Sequence, residues 1–180
     1  MKEYYNVILV DDEDEVRGRI SSKINKEIGF KIVGTAGNGY DAIDLLEAND
    51  VDVVLTDIKM PFIDGIELTK IIRRDYPMIK VVFITGYDEF NYAKEAISLN
   101  VKNYMTKPIS AEEINSFLIK LKNELDDDYK QLEDILSMKE RYENLLPIIG
   151  DSYLSSLIQS NYLTPPNIEK LELYGVDVVP

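Results

Sequence analysis

The sequence predicts a doubly wound α/β domain: a five-stranded parallel sheet with helices on both faces, followed by a helical tail. Two observations lead there. Short β-branched runs, apolar on both faces, alternate with amphipathic stretches through the first two-thirds of the 180 residues, as buried parallel strands joined by helical crossovers do. Five such strand-then-helix units follow in series, which is the pattern of an open sheet covered on both sides. Crossovers of one hand leave few topologies for about 120 residues of this kind.

Taken in order, the strands are expected at residues 7–10, 31–34, 51–56, 81–84 and 103–106. The helices are expected at 13–27, 39–48, 64–74, 89–99 and from 111 onward. The last has a distinct start. Ser110, Ala111, Glu112 and Glu113 read as a capping box, Ser110 being the N-cap and Glu113 reaching back to it. Neither Gly nor Pro follows until Pro147, so one helix of roughly 35 residues is expected. A 3-4 stripe through Leu118, Leu121, Leu125, Asp128, Leu132, Ile135, Lys139, Tyr142 and Leu146 is apolar at seven of nine positions, against 45% for the whole chain. Such a stripe predicts a two-helix homodimer seam over 118–146, although one helix packing back on its own domain has the same periodicity. Residues 1–122 carry 16 Lys+Arg against 21 Asp+Glu, and residues 123–180 carry 4 against 12. The chain therefore divides near residue 122 into a domain over 1–122 and a helical linker or dimerisation region over 123–180. Thr164-Pro165 predicts another short helix start, and the apolar run 176–179 is expected to continue into a segment beyond Pro180.

Composition excludes several kinds of chemistry. The chain contains no histidine and no cysteine, which removes Ser-His-Asp triads, His- or Cys-ligated zinc, disulfides and a phosphohistidine relay within it. A formal charge of −13 argues against direct nucleic-acid binding, which needs Lys and Arg against phosphate. No apolar run reaches eighteen residues, so no membrane span is expected. The opening run is too short and too quickly acidic for a secretory signal. A cytoplasmic location is expected, with carboxylate, hydroxyl and lysine chemistry.

In open parallel sheets, ligands bind beyond the C-terminal strand ends. Five polar residues fall there: Asp11 and Asp12 after the first strand, Asp57 after the third, Thr85 after the fourth and Lys107 after the fifth. Each alone could be a cap or a surface charge; their convergence points to a site. Grouped carboxylates repel by several kcal/mol per pair even at an effective dielectric near 20. A hard divalent cation such as Mg²⁺ relieves that repulsion. Three aspartates, a divalent ion and Lys107 sum to zero charge. An aspartate in such a site can attack phosphorus while cations stabilise the transferring group.

The segments VILVDDE, DIKMPFIDGIEL, ITGYDEF and YMTKP together resemble the receiver domains of two-component response regulators, over about residues 4–122. The resemblance implies a flavodoxin-like fold and a regulator rather than an enzyme, with a sensor histidine kinase as partner. It implies that Asp57 accepts the phosphoryl group and that Asp11, Asp12, Asp57 and the backbone carbonyl of Lys59 serve Mg²⁺. Asp11 would act largely through water. Thr85 and Lys107 would contact the phosphoryl group, and Tyr104 would be the aromatic of the switch. Pro61, Asp64, Gly65 and Pro108 would shape the adjoining loops. The stretch GYDEFNYAKEAI and the tail LLPIIGDSYLSSLIQ resemble the subfamily with an AraC-type DNA-binding output. That output is not part of this sequence, so DNA contact is implied only for a longer protein.

Other patterns carry less. Gly34, Gly37 and Gly39 sit between a strand and a helix, but their spacing reverses the dinucleotide fingerprint. A haloacid-dehalogenase-type phosphatase would need an aspartate two residues after the nucleophile, and that position is Lys59. A phosphate-independent dimerisation or scaffold module is the remaining alternative, and the intact set of five polar residues argues against it.

Overall fold

The computed structural model describes residues 2–86, 101, 103–160, 170 and 174. Its contacts divide the chain into two units, Met1–Asp126 and Asp127–Pro180.

The first unit is built on five parallel strands: β1 (Tyr5–Val10), β2 (Phe30–Ala36), β3 (Val53–Asp57), β4 (Lys80–Thr85) and β5 (Asn103–Thr106). They lie in the order β2-β1-β3-β4-β5, which is the flavodoxin-like arrangement. Helices α1 (Asp14–Ser21), α2 (Gly39–Ala48) and α3 (Gly65–Asp75) follow the first three strands, and α4 (Ala111–Ser160) follows β5. The helix expected at 89–99 lies outside the described residues.

Every residue of β3 is buried, and β1 and β4 are nearly so. That explains why these strands read as unbroken apolar runs instead of alternating ones. Ile8, Val10, Val54, Val81 and Phe83 form one core with Leu46 of α2 and Ile66, Leu68 and Ile72 of α3. Alternation sends Tyr5, Val7 and Leu9 to the opposite face. There the buried Tyr5 hydroxyl donates to Asp126 of α4 at 2.7 Å.

The helix starts are chemically explicit. Asn38 accepts from the Asp41 amide, Asp64 accepts from the Glu67 amide, and Ser110 and Glu113 exchange bonds of 3.2 and 2.8 Å in the expected capping box.

Three expectations are corrected. The first helix stops at Ser21 rather than Glu27. Ser22 bonds back to the Arg19 carbonyl, and Asn25 starts a separate 3-10 turn over Lys26–Ile28, so side chains that compete with the helical ladder end it early. The last helix does not stop at Pro147 but runs through it to Ser160. Proline there removes one intrahelical bond and costs roughly 3 kcal/mol, yet the winding continues, and Leu157 beyond it is buried. Finally, Leu118, Leu121 and Leu125, the first third of the expected 118–146 dimer seam, are 1–2% exposed inside the first unit. They serve the first unit's own core and are not available to a partner.

In the second unit, the described part of α4 carries Tyr153, whose ring meets Tyr174 edge-on at 6.1 Å. The Thr164-Pro165 start and the 176–179 run lie outside the described residues. No described helix is long and apolar enough to cross a membrane.

Candidate functional site

The sheet brings β1, β3, β4 and β5 to one edge, and the residues at their ends converge. Asp11 follows β1 directly, its amide still bonded to the Ala36 carbonyl of β2 at 3.0 Å. Asp57 is the last residue of β3. The end of β5 is tied to the end of β4 by the Lys107 amide, which donates to the Thr85 carbonyl at 2.7 Å. Strand order therefore puts residues 11, 57, 85 and 107 at one edge, and the Lys107 side chain reaches from β5 across the end of β4 to the carboxylates.

The side chains complete the grouping. Lys107 Nζ lies 2.6 Å from Asp57 Oδ2 and 2.8 Å from Asp11 Oδ2. The other Asp57 oxygen accepts from the Ile58 amide at 2.6 Å, and the other Asp11 oxygen from the Glu13 amide at 3.0 Å. Asp11 and Asp57 are buried, whereas Asp12 is exposed. One oxygen from each of Asp11, Asp12 and Asp57 lies within 4.8 Å of the others. At that separation each like-charged pair costs about 3.5 kcal/mol at an effective dielectric near 20. Two units of negative charge remain after Lys107 is counted, and the donors are all oxygen. A hard divalent cation fits this set.

Burial pushes the Asp57 carboxyl above its ordinary value, with Asp11 adding to the effect and Lys107 only partly opposing it. Burial also pulls on Lys107, but its bonds to Asp11 and Asp57 together outweigh it and raise its value, so the ammonium stays charged. Because its folded value is raised, Asp57 favours the metal-free fold only while protonated. That contribution is lost as pH rises through the folded value.

The surroundings fix Asp57 in place. Gly65 opens α3 against the Asp57 backbone, and its amide donates to the Ile58 carbonyl at 2.9 Å. Asp12, Ile58, Lys59, Met60 and Asp64 line a cleft of about 320 Å³ beside the carboxylates, which sets Lys59 next to the metal-competent group. Thr85 is half-buried and its hydroxyl donates to the Gly86 carbonyl at 2.9 Å. Tyr104 is 69% exposed. Pro61 and Pro108 border the site on exposed turns, the latter after a cis peptide bond.

Several participants escaped the sequence reading. Arg17 donates to the Asp11 carbonyl and pairs with Asp14, and Thr56 donates to the Asp57 carbonyl at 2.8 Å. Phe62 adopts a left-handed φ of 70°, lies 81% exposed and meets the Tyr40 ring at 6.4 Å. An arginine one turn into the first helix is a recoverable signal; a left-handed phenylalanine is not.

Comparison with known proteins gives the family and the fold. A family described as the response regulator receiver domain matches residues 7–119. An uncharacterized transcriptional regulatory protein of Bacillus subtilis, YesN, is 32% identical over 164 residues, covering 90% of this chain and 45% of that protein. Among solved structures, the REC domain of AraT, a response regulator from Geobacillus stearothermophilus, is 36% identical. Its TM-score is 0.66, with 69% of this chain and 98% of that one covered. A two component transcriptional regulator AraC from Clostridium phytofermentans is also 36% identical, at a TM-score of 0.59, covering 64% and 91%. The chain spans about half the length of the first curated relatives, 45% of one and 58% of another.

Proposed function

The chain belongs to the response regulator receiver domain family of two-component systems, and on that premise we propose that it is a phosphorylation-controlled switch whose acceptor is Asp57. The observation that carries this reading is Lys107 bridging Asp57 and Asp11, with three carboxylate oxygens inside 4.8 Å.

In this reading Asp57 attacks the phosphorus of a phosphohistidine on a sensor kinase. An acyl-phosphate O–P bond forms, the P–N bond breaks, and the imidazole nitrogen leaves with the electron pair. Asp11, Asp12, Asp57 and the Lys59 carbonyl would hold Mg²⁺, which would supply positive charge to the transferring oxygens. Lys107 exchanges a carboxylate partner for a phosphoryl oxygen. The Thr85 hydroxyl turns from Gly86 to the new group, and Tyr104 moves inward behind it. Such coupling requires two states that differ in these contacts.

Other parts of the reading rest on the relatives. The match to YesN, a transcriptional regulatory protein longer than this chain, extends past the receiver into the tail, and a similar solved structure is described as a two component transcriptional regulator AraC; together they support a longer regulator with an AraC-type DNA-binding output. The protein is then a cytoplasmic homodimer that reaches DNA only through that output, and a phosphoryl acceptor rather than an enzyme with a separate substrate. The scaffold and phosphatase alternatives gain no support, since Lys107 is engaged and Lys59 stands where the phosphatase needs an aspartate.

The test is chemical. Acetyl phosphate with Mg²⁺ should label the protein with one acid-stable, base-labile acyl phosphate, and Asp57→Asn should abolish it. Unchanged labelling of that variant would overturn the assignment.

A further inference from the structure

Beyond Asp126, α4 carries an apolar stripe offset from the expected seam. Ile135, Met138, Tyr142, Leu145 and Ile149 follow one another at 3-4-3-4 spacing, and their exposures are 62, 69, 64, 51 and 46%. In contrast to the 118–146 series, no charged residue interrupts it. It is also bounded: one heptad earlier the equivalent positions are Asp128 and Gln131, and the next position after Ile149 is Ser152. An uninterrupted exposed stripe with polar ends marks an interaction surface.

The charges beside the stripe select its occupant. With Ile135 and Met138 as core positions a and d, Asp134 takes position g and Lys139 position e. In a parallel, in-register pair, position g of one helix faces position e of the other five residues further on. Asp134 therefore faces Lys139 across the seam, and symmetry repeats the pair. Lys139 otherwise has an exposed 3.8 Å contact with Glu143 on its own helix, which competes weakly. Pro147 falls at position f, opposite the seam, where its ring and missing amide hinder nothing.

We propose that residues 135–149 form the core of a parallel, in-register two-helix contact between two copies of this chain. The contact lies wholly within the second unit. It rests on the homodimer of the proposed function but does not require Asp57 to accept a phosphoryl group, so failure of the seam and failure of the acceptor assignment are distinguishable. Two heptads lie at the low end of stable interfaces, which clear about 1,000 Å², and both copies are strongly acidic. The dimer is therefore concentration-dependent and is strengthened by salt.

The absence of cysteine makes the test direct. A parallel in-register seam sets identical d residues against each other, within the Cα separation that a disulfide accepts. In the full chain, Met138→Cys and Leu145→Cys should each oxidise to a covalent dimer about ten-fold faster than Glu140→Cys, which sits at f on the outer face. Equal rates for all three would overturn the proposal. A fast rate confined to Tyr142→Cys, near the centre of the stripe, would indicate an antiparallel crossing and would overturn it as well. Both substituted core positions are at least half exposed in the single chain, so folding is not at stake, and circular dichroism of each variant checks this.

Discussion

Replacing Gly65 with alanine should damage the fold and the site together. A Cβ at this position would overlap the carbonyl oxygen of Asp57 and stand 3.0 Å from both the Asp57 carbonyl carbon and the Ile58 Cα. All three neighbours are backbone, so no side chain can swing aside. Either the start of α3 or the end of β3 must move, and the Gly65 amide bond to Ile58 goes with it. Overpacking a rigid site costs 1–3 kcal/mol, and contact with backbone on three atoms places this one at about 3 kcal/mol. Alanine's better helix propensity returns up to about 1 kcal/mol. The net is roughly 2 kcal/mol, which lowers the melting temperature by roughly 4–8 °C in a chain of this size. Gly86→Ala is the control, because nothing lies within 4 Å of a Cβ there. Thermal melts followed by circular dichroism measure the first effect, and the rate of labelling by acetyl phosphate measures the displacement of Asp57. If Gly65→Ala melts with the parent and labels at the parent's rate, the close approach of α3 to β3 does not position Asp57.

Two further outcomes follow from the same coordinates. Burial tends to raise the Asp126 carboxyl, but bonds from Lys122 and Tyr5 outweigh it and hold its value below the ordinary 3.8. Its stabilisation is thus present above the unfolded value and is lost as pH falls through the folded one. Tyr5→Phe should cost about 1 kcal/mol at neutral pH, and the gap to the parent should close in strong acid; a gap independent of pH in denaturant titrations would refute this. Beryllofluoride with Mg²⁺ should reduce the solvent exposure of Tyr104 from its present 69%, and an unaltered tyrosine environment by NMR would contradict the proposed coupling to Thr85.

Much of this structure was legible because local chemistry and tertiary demand agree. The 39–48 helix and the Ser110–Glu113 capping box stand as the sequence reads them, since an Asx or Ser cap states its own purpose within four residues. The site was legible for a topological reason: polar residues that end apolar strands of a parallel sheet must meet at one edge. What escaped depends on distant partners. Nothing near Leu118, Leu121 or Leu125 distinguishes a stripe facing its own sheet from one facing a second chain. The offset stripe at 135–149 became visible only once those leucines were buried. Pro147 misled because a local penalty of a few kcal/mol does not by itself end a helix that continues on both sides. The left-handed φ at Phe62 has no sequence cue at all.

The strand order also constrains how the molecule is assembled. Fifty residues separate Asp57 from the lysine that pairs with it. Where β1 and β3 pair without β5 in place, Asp11 and Asp57 meet without Lys107. Burying two like charges without a counter-ion is unfavourable, so this end of the sheet has reason to stay hydrated and loose while the opposite end, held by Tyr5 and Phe30, is already packed. β5 reaches β4 through a more local pairing, Val82 with Asn103, than the one that joins β1 to β3, Val7 with Val53, so closing the centre of the sheet is the slower step. Lys107 thus acts as a clasp across this end of the sheet. A partly opened chain has the same aspartates but lacks the ammonium that lets two of them be buried side by side, so the grouping is complete only when the sheet is.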